Sequence, residues 1–573
     1  MLDYVIRGAT IVDGTGRPGF LGDLGVGGGR IVAIGDVDST GATTLDAGGL
    51  VVAPGFVDPH THYDAQLFWD PFATPSNAHG VTTVIGGNCG FSLAPLHDSD
   101  ADYLRRMMAK VEGMPLAALE QGVDWQWESF AGYLASLEGG IAVNAGFLAG
   151  HCAIRRYVMG PDAIGKSATP EQVEEMARVL HQSIEAGALG FSTTRSHTHS
   201  DGDGQPVASR HASREELLAL CRAAGEHEGT TLEGIVPGCL DTFSDEEIEL
   251  LVAMSAAARR PLNWNVLTVD SRAPERVARQ LSASTAALAS GARIVALTMP
   301  VLVPMNMSFL TYCALNLLPG WGEILQLPVP ERMARLQDPE TRRQMIARAT
   351  SREAGVLRRL ADFRRYVIGD TYSPANHGLS GRVVGEVAEE RGQDPFDALI
   401  DIVINDELRT ILWPMPPDND PDTWALRRQV WDDDRALLGG SDAGAHLDRM
   451  CGAPYTTRFI GDMIRGRQLV SLERAVQLIT DAPARLFGLR ERGRIAPGHH
   501  ADLVVFDPQT IGSEAATLRH DLPGGAARLT AGANGVVRVL VNGIETVVEG
   551  KETGAVPGTV LRSGRDTHTV ATA

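Results

Sequence analysis

The chain has 573 residues, a formal charge of −20 and 44% apolar side chains. It is too long for one ordinary compact domain and fits a large barrel with additions. The acidic balance repels polyanions, which sets nucleic acid and anionic membranes aside as partners.

The first residues read as short strands with glycine-rich turns between them: "DYVIRGATIVDGTG", "DLGVGGGRIVAIG" and "GGLVVAPG". The C-terminal end repeats this pattern in "GRIAPGHHADLVVFD" and "GVVRVLVNGIETVVEG". Both ends predict one small β-sandwich, built from residues 1–54 and 486–573, with a large domain at 55–485 inserted between them. That middle alternates apolar runs with helical patterns. In "TPEQVEEMARVLHQSIEAG", Thr169 is placed to cap a helix, with Pro170 at its first position, Gln172 closing a capping box and Gly187 after the last turn. Val173, Met176, Ala177, Leu180 and Ile184 make its apolar face. Ser213, Glu216 and Gly229, and then Ser244 and Glu247, repeat the device.

Eight strand-like runs fall in the middle, at 55–62, 81–88, 141–151, 188–194, 230–236, 261–267, 293–299 and 436–442. Eight strands alternating with helices predict an α/β fold of the TIM type, a parallel (β/α)8 barrel. The gap of about 136 residues between the seventh and eighth runs is too long for a loop. It predicts a helical insertion at about 300–435. The apolar stretch 299–321 is interrupted by Pro300, Pro304, Asn306 and Asn316, so it suits a buried or pocket-lining segment better than a membrane span. Six scattered cysteines without a CxxC pair, and an N-terminus without a signal-peptide pattern, predict a reducing, cytoplasmic setting.

Barrel chemistry gathers at the C-terminal ends of strands. The first run, "GFVDPHTH", ends in His60 and His62, two residues apart, so both side chains leave the strand on one face. The second ends at Cys89 in "GGNCG", the third at His151, the fourth at Arg195 and the eighth at Asp442 in "GGSDAGAH". Two imidazoles, a thiol and a carboxylate are a suitable ligand set for zinc or a similar cation. His197 and His199, in the polar run "RSHTHSDGDGQ", read as solvated or loop-structuring. Arg195 or Arg155 could pair with a substrate carboxylate in bidentate fashion, and His151 is a further substrate-side candidate.

"GFVDPHTH", "SDAGAH" and "GRIAPGHHADLVVFD" resemble the amidohydrolase superfamily. "GGNCG" and "GALGFSTT" narrow the resemblance to the N-acyl-D-amino-acid deacylase (D-aminoacylase) family. The resemblance implies a metal-dependent hydrolase of N-acylated D-amino acids, with one or two zinc ions or another divalent metal. His60, His62 and Cys89 would be ligands, and Asp442 would touch the metal and serve as general base. The expected partners are a small-molecule amide and further copies of this chain in a homo-oligomer. The chain departs from that family twice. Its three lysines, Lys110, Lys166 and Lys551, lie at no strand end, which argues against a lysine-bridged metal pair. The fifth and sixth runs, "TTLEGIV" and "PLNWNVL", lack the family's histidines; Glu233 and Asn265 are the nearest polar residues, with Glu233 a possible carboxylate ligand. One ion held by His60, His62, Asp442 and Cys89 is then sufficient. His446, four residues after Asp442, is another local contributor. The departures leave room for other substrates (a cyclic imide, a carbamate or an ester) and for a non-catalytic oligomeric scaffold of the same fold.

Overall fold

The computed structural model describes residues 2–38, 40–311, 313–416 and 418–572. The chain divides into two compact units. One comprises Met1–Val301, Pro421–Leu447 and Cys451–Ala573; the other comprises Leu302–Asp420 and Asp448–Met450.

The larger unit contains the barrel. Its strands are β1 (Phe56–Asp58), β2 (Val81–Gly86), β3 (Asn144–Phe147, continued by Ala149–Gly150), β4 (Gly190–Thr194), β5 (Thr231–Ile235), β6 (Leu262–Trp264), β7 (Ile294–Thr298) and β8 (Ala436–Leu438). Each lies inside one of the runs read from sequence. All neighbours pair in parallel, β1–β2–β3 in one sheet and the continuation of β3 through β4, β5, β6 and β7 to β8 in another. A parallel bridge between Thr61 and Ala443 links the segments that follow β1 and β8. The strands are shorter than the runs because residues at the run ends lie outside the ladders, as 59–62 do after β1 and 265–267 after β6.

The apolar side chains Val57, Ile85, Leu148, Leu189, Val295, Leu297 and Leu437 form one buried cluster with Ala484, Leu486 and Phe487. The helix Pro170–Ala186 carries the expected reciprocal capping box of Thr169 and Gln172, and Gly187 ends it. Its buried face is Met176, Val179, Leu180, Ser183 and Ile184, so Val173 and Ala177 sit at the edge instead of the centre. The helix Asp245–Ala258 has the Ser244–Glu247 box as read. The helix Arg214–Gly225 differs. Ser213 caps it, but Glu216 turns inward instead of closing the box, and the helix ends before Gly229.

Both chain ends meet in one nine-stranded mixed sheet. Leu503–Phe506 runs antiparallel to Val51–Pro54, in register Leu503↔Pro54, and joins the N-terminal strands to those after residue 536. Ile6, Leu24, Val26, Val52, Leu503, Val505 and Leu540 build the core of this sheet. The smaller unit is largely helical and has its own core around Trp321, Phe363, Phe396 and Leu399. Met307, Phe309, Cys313, Leu315, Leu318 and Trp321 are buried there, which accounts for most of the apolar stretch 299–321.

Candidate metal centre

His60 and His62 follow β1, and both are buried. Their register is fixed by backbone. Thr61 donates its N–H to the Ile85 carbonyl at 2.9 Å, and His62 donates its own to the Ala443 carbonyl at 2.7 Å. Asp58 accepts the Ser441 hydroxyl at 2.5 Å, tying the root of β1 to the loop that carries Asp442.

Cys89 lies in the turn Asn88–Gly90 after β2, with φ of 56°. A non-glycine residue in the left-handed region is strained and persists only where neighbours hold it. Three neighbours do. The Asn88 amide donates to the carbonyls of Thr61 and Ile85 at 3.1 and 2.9 Å. The Gly90 N–H donates to Ser192 Oγ on β4 at 3.0 Å. The Cys89 N–H donates to Glu233 Oε2 on β5 at 2.8 Å. Asp442 also has a positive φ, 52°, and its Oδ1 accepts from the Asn265 amide at 2.9 Å.

The side chains converge. One donor atom from each of His60, His62 and Cys89 lies within 4.8 Å of the others, and this is the group of that kind found among the described residues. His60 Nε2 is 3.5 Å from Cys89 Sγ and 3.4 Å from Asp442 Oδ1. His62 Nε2 is 3.8 Å from Asp442 Oδ1 and 3.6 Å from Glu112 Oε2. Ligands bound tetrahedrally at zinc distances stand about 3.3–3.8 Å apart. The observed separations match that edge, so the residues present fit a zinc-like cation.

The electrostatics agree. Burial pushes the imidazoles down, His62 to about 3, and the nearby His199 and the second imidazole push His60 the same way. Burial pushes the Cys89 thiol well up, and the carboxylates of Glu233, Glu112 and Asp442 add to it. Burial and then Asp58 raise Asp442 to about 7, against the opposing Asn265 hydrogen bond. Burial raises Glu233 far above the carboxylate range as well, with Asp442 adding. Neutral imidazoles are what a metal binds, while a thiol and carboxylates pushed toward protonation lack a cation. A divalent ion reverses that second shift.

Sequence reasoning named Asn265 and His199 without their place here and missed Glu112. His199 is not a solvated loop residue: its Nδ1 is 2.9 Å from Thr194 Oγ1, its ring centroid is 5.3 Å from that of Phe91, and burial pushes it down to about 4. Asn265 enters the site by donating to Asp442. Glu112 comes from a helix end, where no strand-end rule looks. His446 meets Glu112 through its backbone N–H, which donates to the Glu112 carbonyl.

The substrate-side candidates separate. Arg155 is fully buried, and its guanidinium is occupied by Glu216 at 2.5 and 2.6 Å and by the carbonyls of Ala163 and Lys166. His151 is also fully buried, between Thr193 Oγ1 at 2.9 Å and Glu216 Oε1 at 3.0 Å. The inward turn of Glu216 thus pairs it with both of these buried side chains. Arg195 remains half-buried at the end of β4, with one guanidinium nitrogen donating to the Ala212 carbonyl at 2.8 Å.

With this geometry the relationships fall into place. An amidohydrolase family model matches residues 43–552. The chain belongs to the amidohydrolase family. A D-aminoacylase from Alcaligenes xylosoxydans xylosoxydans is 31% identical over 98% of this chain and 97% of its own length. A solved D-aminoacylase, described as having a binuclear metal centre, is 28% identical, with a TM-score of 0.63 over 98% of this chain and all of that one. The N-acyl-D-glutamate deacylase of Bordetella bronchiseptica, solved with zinc and a phosphonate inhibitor, is 25% identical, with a TM-score of 0.61 over 98% of this chain and all of that one. This amidohydrolase is therefore related to D-aminoacylases along its whole length. Among its described residues no helix is long and apolar enough to cross a membrane.

Proposed function

We propose that this amidohydrolase cleaves the amide of N-acylated D-amino acids at a zinc centre held by His60, His62 and Cys89, with Asp442 as general base. The observation that carries the reading is the convergence of those three donors within 4.8 Å beside a carboxylate 3.4 Å from His60. When bound, the ion supplies Lewis-acid polarisation of the scissile carbonyl and makes water a nucleophile near neutral pH. Asp442 accepts the proton of the attacking water and delivers it to the leaving amine. Asn265 keeps the Asp442 carboxylate turned toward the histidines by its 2.9 Å hydrogen bond. Glu233 holds the Cys89 backbone and so the thiolate's position; its Oε1 is buried without a hydrogen-bond partner, which leaves it available as a further carboxylate ligand.

Arg195 recognises the side-chain carboxylate of an acidic substrate, because it stands at the mouth with donors to spare. Arg195→Lys loses the bidentate fork, so KM rises far more for N-acyl-D-glutamate than for N-acyl-D-leucine. The test of the whole reading is zinc content per chain beside hydrolysis of matched N-acyl-D- and N-acyl-L-amino acids. Zinc bound in the wild type and lost in His60→Ala, with turnover of the D series, is the expected result. A protein that takes up no zinc, or bears zinc and cleaves neither series, ends it.

A further inference from the structure

β5 and β6 bring no imidazole to the mouth. Glu233 is engaged with the Cys89 N–H and Asn265 with Asp442. A carboxylate reaches the same cluster from outside the strand ends. Glu112 caps the C-terminus of the helix Ala101–Val111, its N–H donating to the Met108 carbonyl at 2.9 Å. Its own carbonyl accepts the His446 N–H, so this helix end is stitched to the loop that carries Asp442. The residue is 2% exposed. Its Oε2 stands 3.6 Å from His62 Nε2, too far for a hydrogen bond and close to the spacing of His60 from Cys89 and Asp442. Two ligands on one ion are held apart by about that distance, so a cation bound by His62 on this side would have the Glu112 carboxylate within reach.

We infer that Glu112 is a ligand of the metal centre, donating a carboxylate oxygen on the His62 side. The centre thereby draws a hard oxygen donor from a helix end in place of an imidazole from β5 or β6. This rests on the metal reading above, and the two fail separately.

The test uses the full chain as purified, with zinc and cobalt(II) as probes. Glu112→Gln keeps size and polarity and removes the charged donor; Glu112→His restores a ligand atom. Zinc dissociation constants from chelator competition are expected to weaken by about 10- to 100-fold or more in the glutamine variant. The histidine variant should recover part of that loss. The visible bands of the cobalt(II) protein should shift in Glu112→Gln. Wild-type zinc affinity and unshifted cobalt bands in Glu112→Gln would overturn the inference and leave the metal reading standing. A folded glutamine variant is verified by its circular dichroism. Should it fail to fold, cobalt(II) bands identical in wild type and Glu112→His count against ligation. A wild type that binds neither metal overturns both.

Discussion

At the scale of single residues, the centre is an arrangement of groups that disfavour one another until a cation arrives. Asp442, raised to about 7 by burial and Asp58, is the most exposed of its carboxylates, its side chain 22% accessible. Asp442→Asn preserves shape and can still accept from Asn265, but it cannot take a proton from water. It should lower kcat by roughly 10²- to 10⁴-fold, with zinc content close to wild type because His60, His62 and Cys89 remain. Steady-state kinetics beside metal analysis checks this; an unchanged kcat would remove Asp442 from the base role. The fates of Arg155 and His151 follow from one neighbour. Glu216 could close a capping box at the surface, yet its carboxylate gains charge-assisted bonds by turning inward. Sequence spacing cannot choose between those two rotamers.

At the scale of elements, the barrel is anchored through buried polar pins. His79 ends the turn Asn77–His79 just before β2. Its Nδ1 is 2.6 Å from Thr457 Oγ1 in the helix Tyr455–Arg465, and its Nε2 is 3.0 Å from the Ala531 carbonyl. Burial lowers its pKa from 6.5 to about 4. The unfolded chain therefore takes up this proton first as pH falls. The stabilisation is complete above about 6.5, declines as pH drops toward 4, and is lost below; its size is at most about 3 kcal/mol. His79→Gln keeps a hydrogen-bonding side chain and cannot titrate. Urea unfolding at neutral and mildly acidic pH should show a shallower acid loss in the variant. An equal acid loss in both proteins would assign the pH dependence elsewhere.

At the scale of the molecule, the proposed ion would tie together parts of the chain far apart in sequence. His60 and His62 follow the first barrel strand, Cys89 the second and Asp442 the last. Any ligand bound only by the folded state stabilises it, by about 4 kcal/mol when free zinc is a thousandfold above Kd. Removing the metal should lower the Tm of the whole chain, and added zinc should restore it. A Tm indifferent to chelator would mean that these residues bind no ion tightly. The smaller unit has its own core and is expected to respond less, since its packing around Trp321 and Phe396 involves none of these ligands.

The sequence by itself determined the strand count, the joining of both termini and the placing of His60, His62, Cys89 and Asp442. Those features are written in local patterns: period-two apolar runs, glycine punctuation, and polar residues at run ends. Each follows from backbone geometry acting over a few residues. Only the tertiary structure decided how Glu112, His199 and Asn265 meet the histidines and Asp442, and that Arg155 and His151 share Glu216. Glu112 lies in a helix end, 50 positions from His62, and nothing local marks it. Its approach depends on how a helix end meets the loop after β8, a long-range packing outcome that hydrophobic period does not encode.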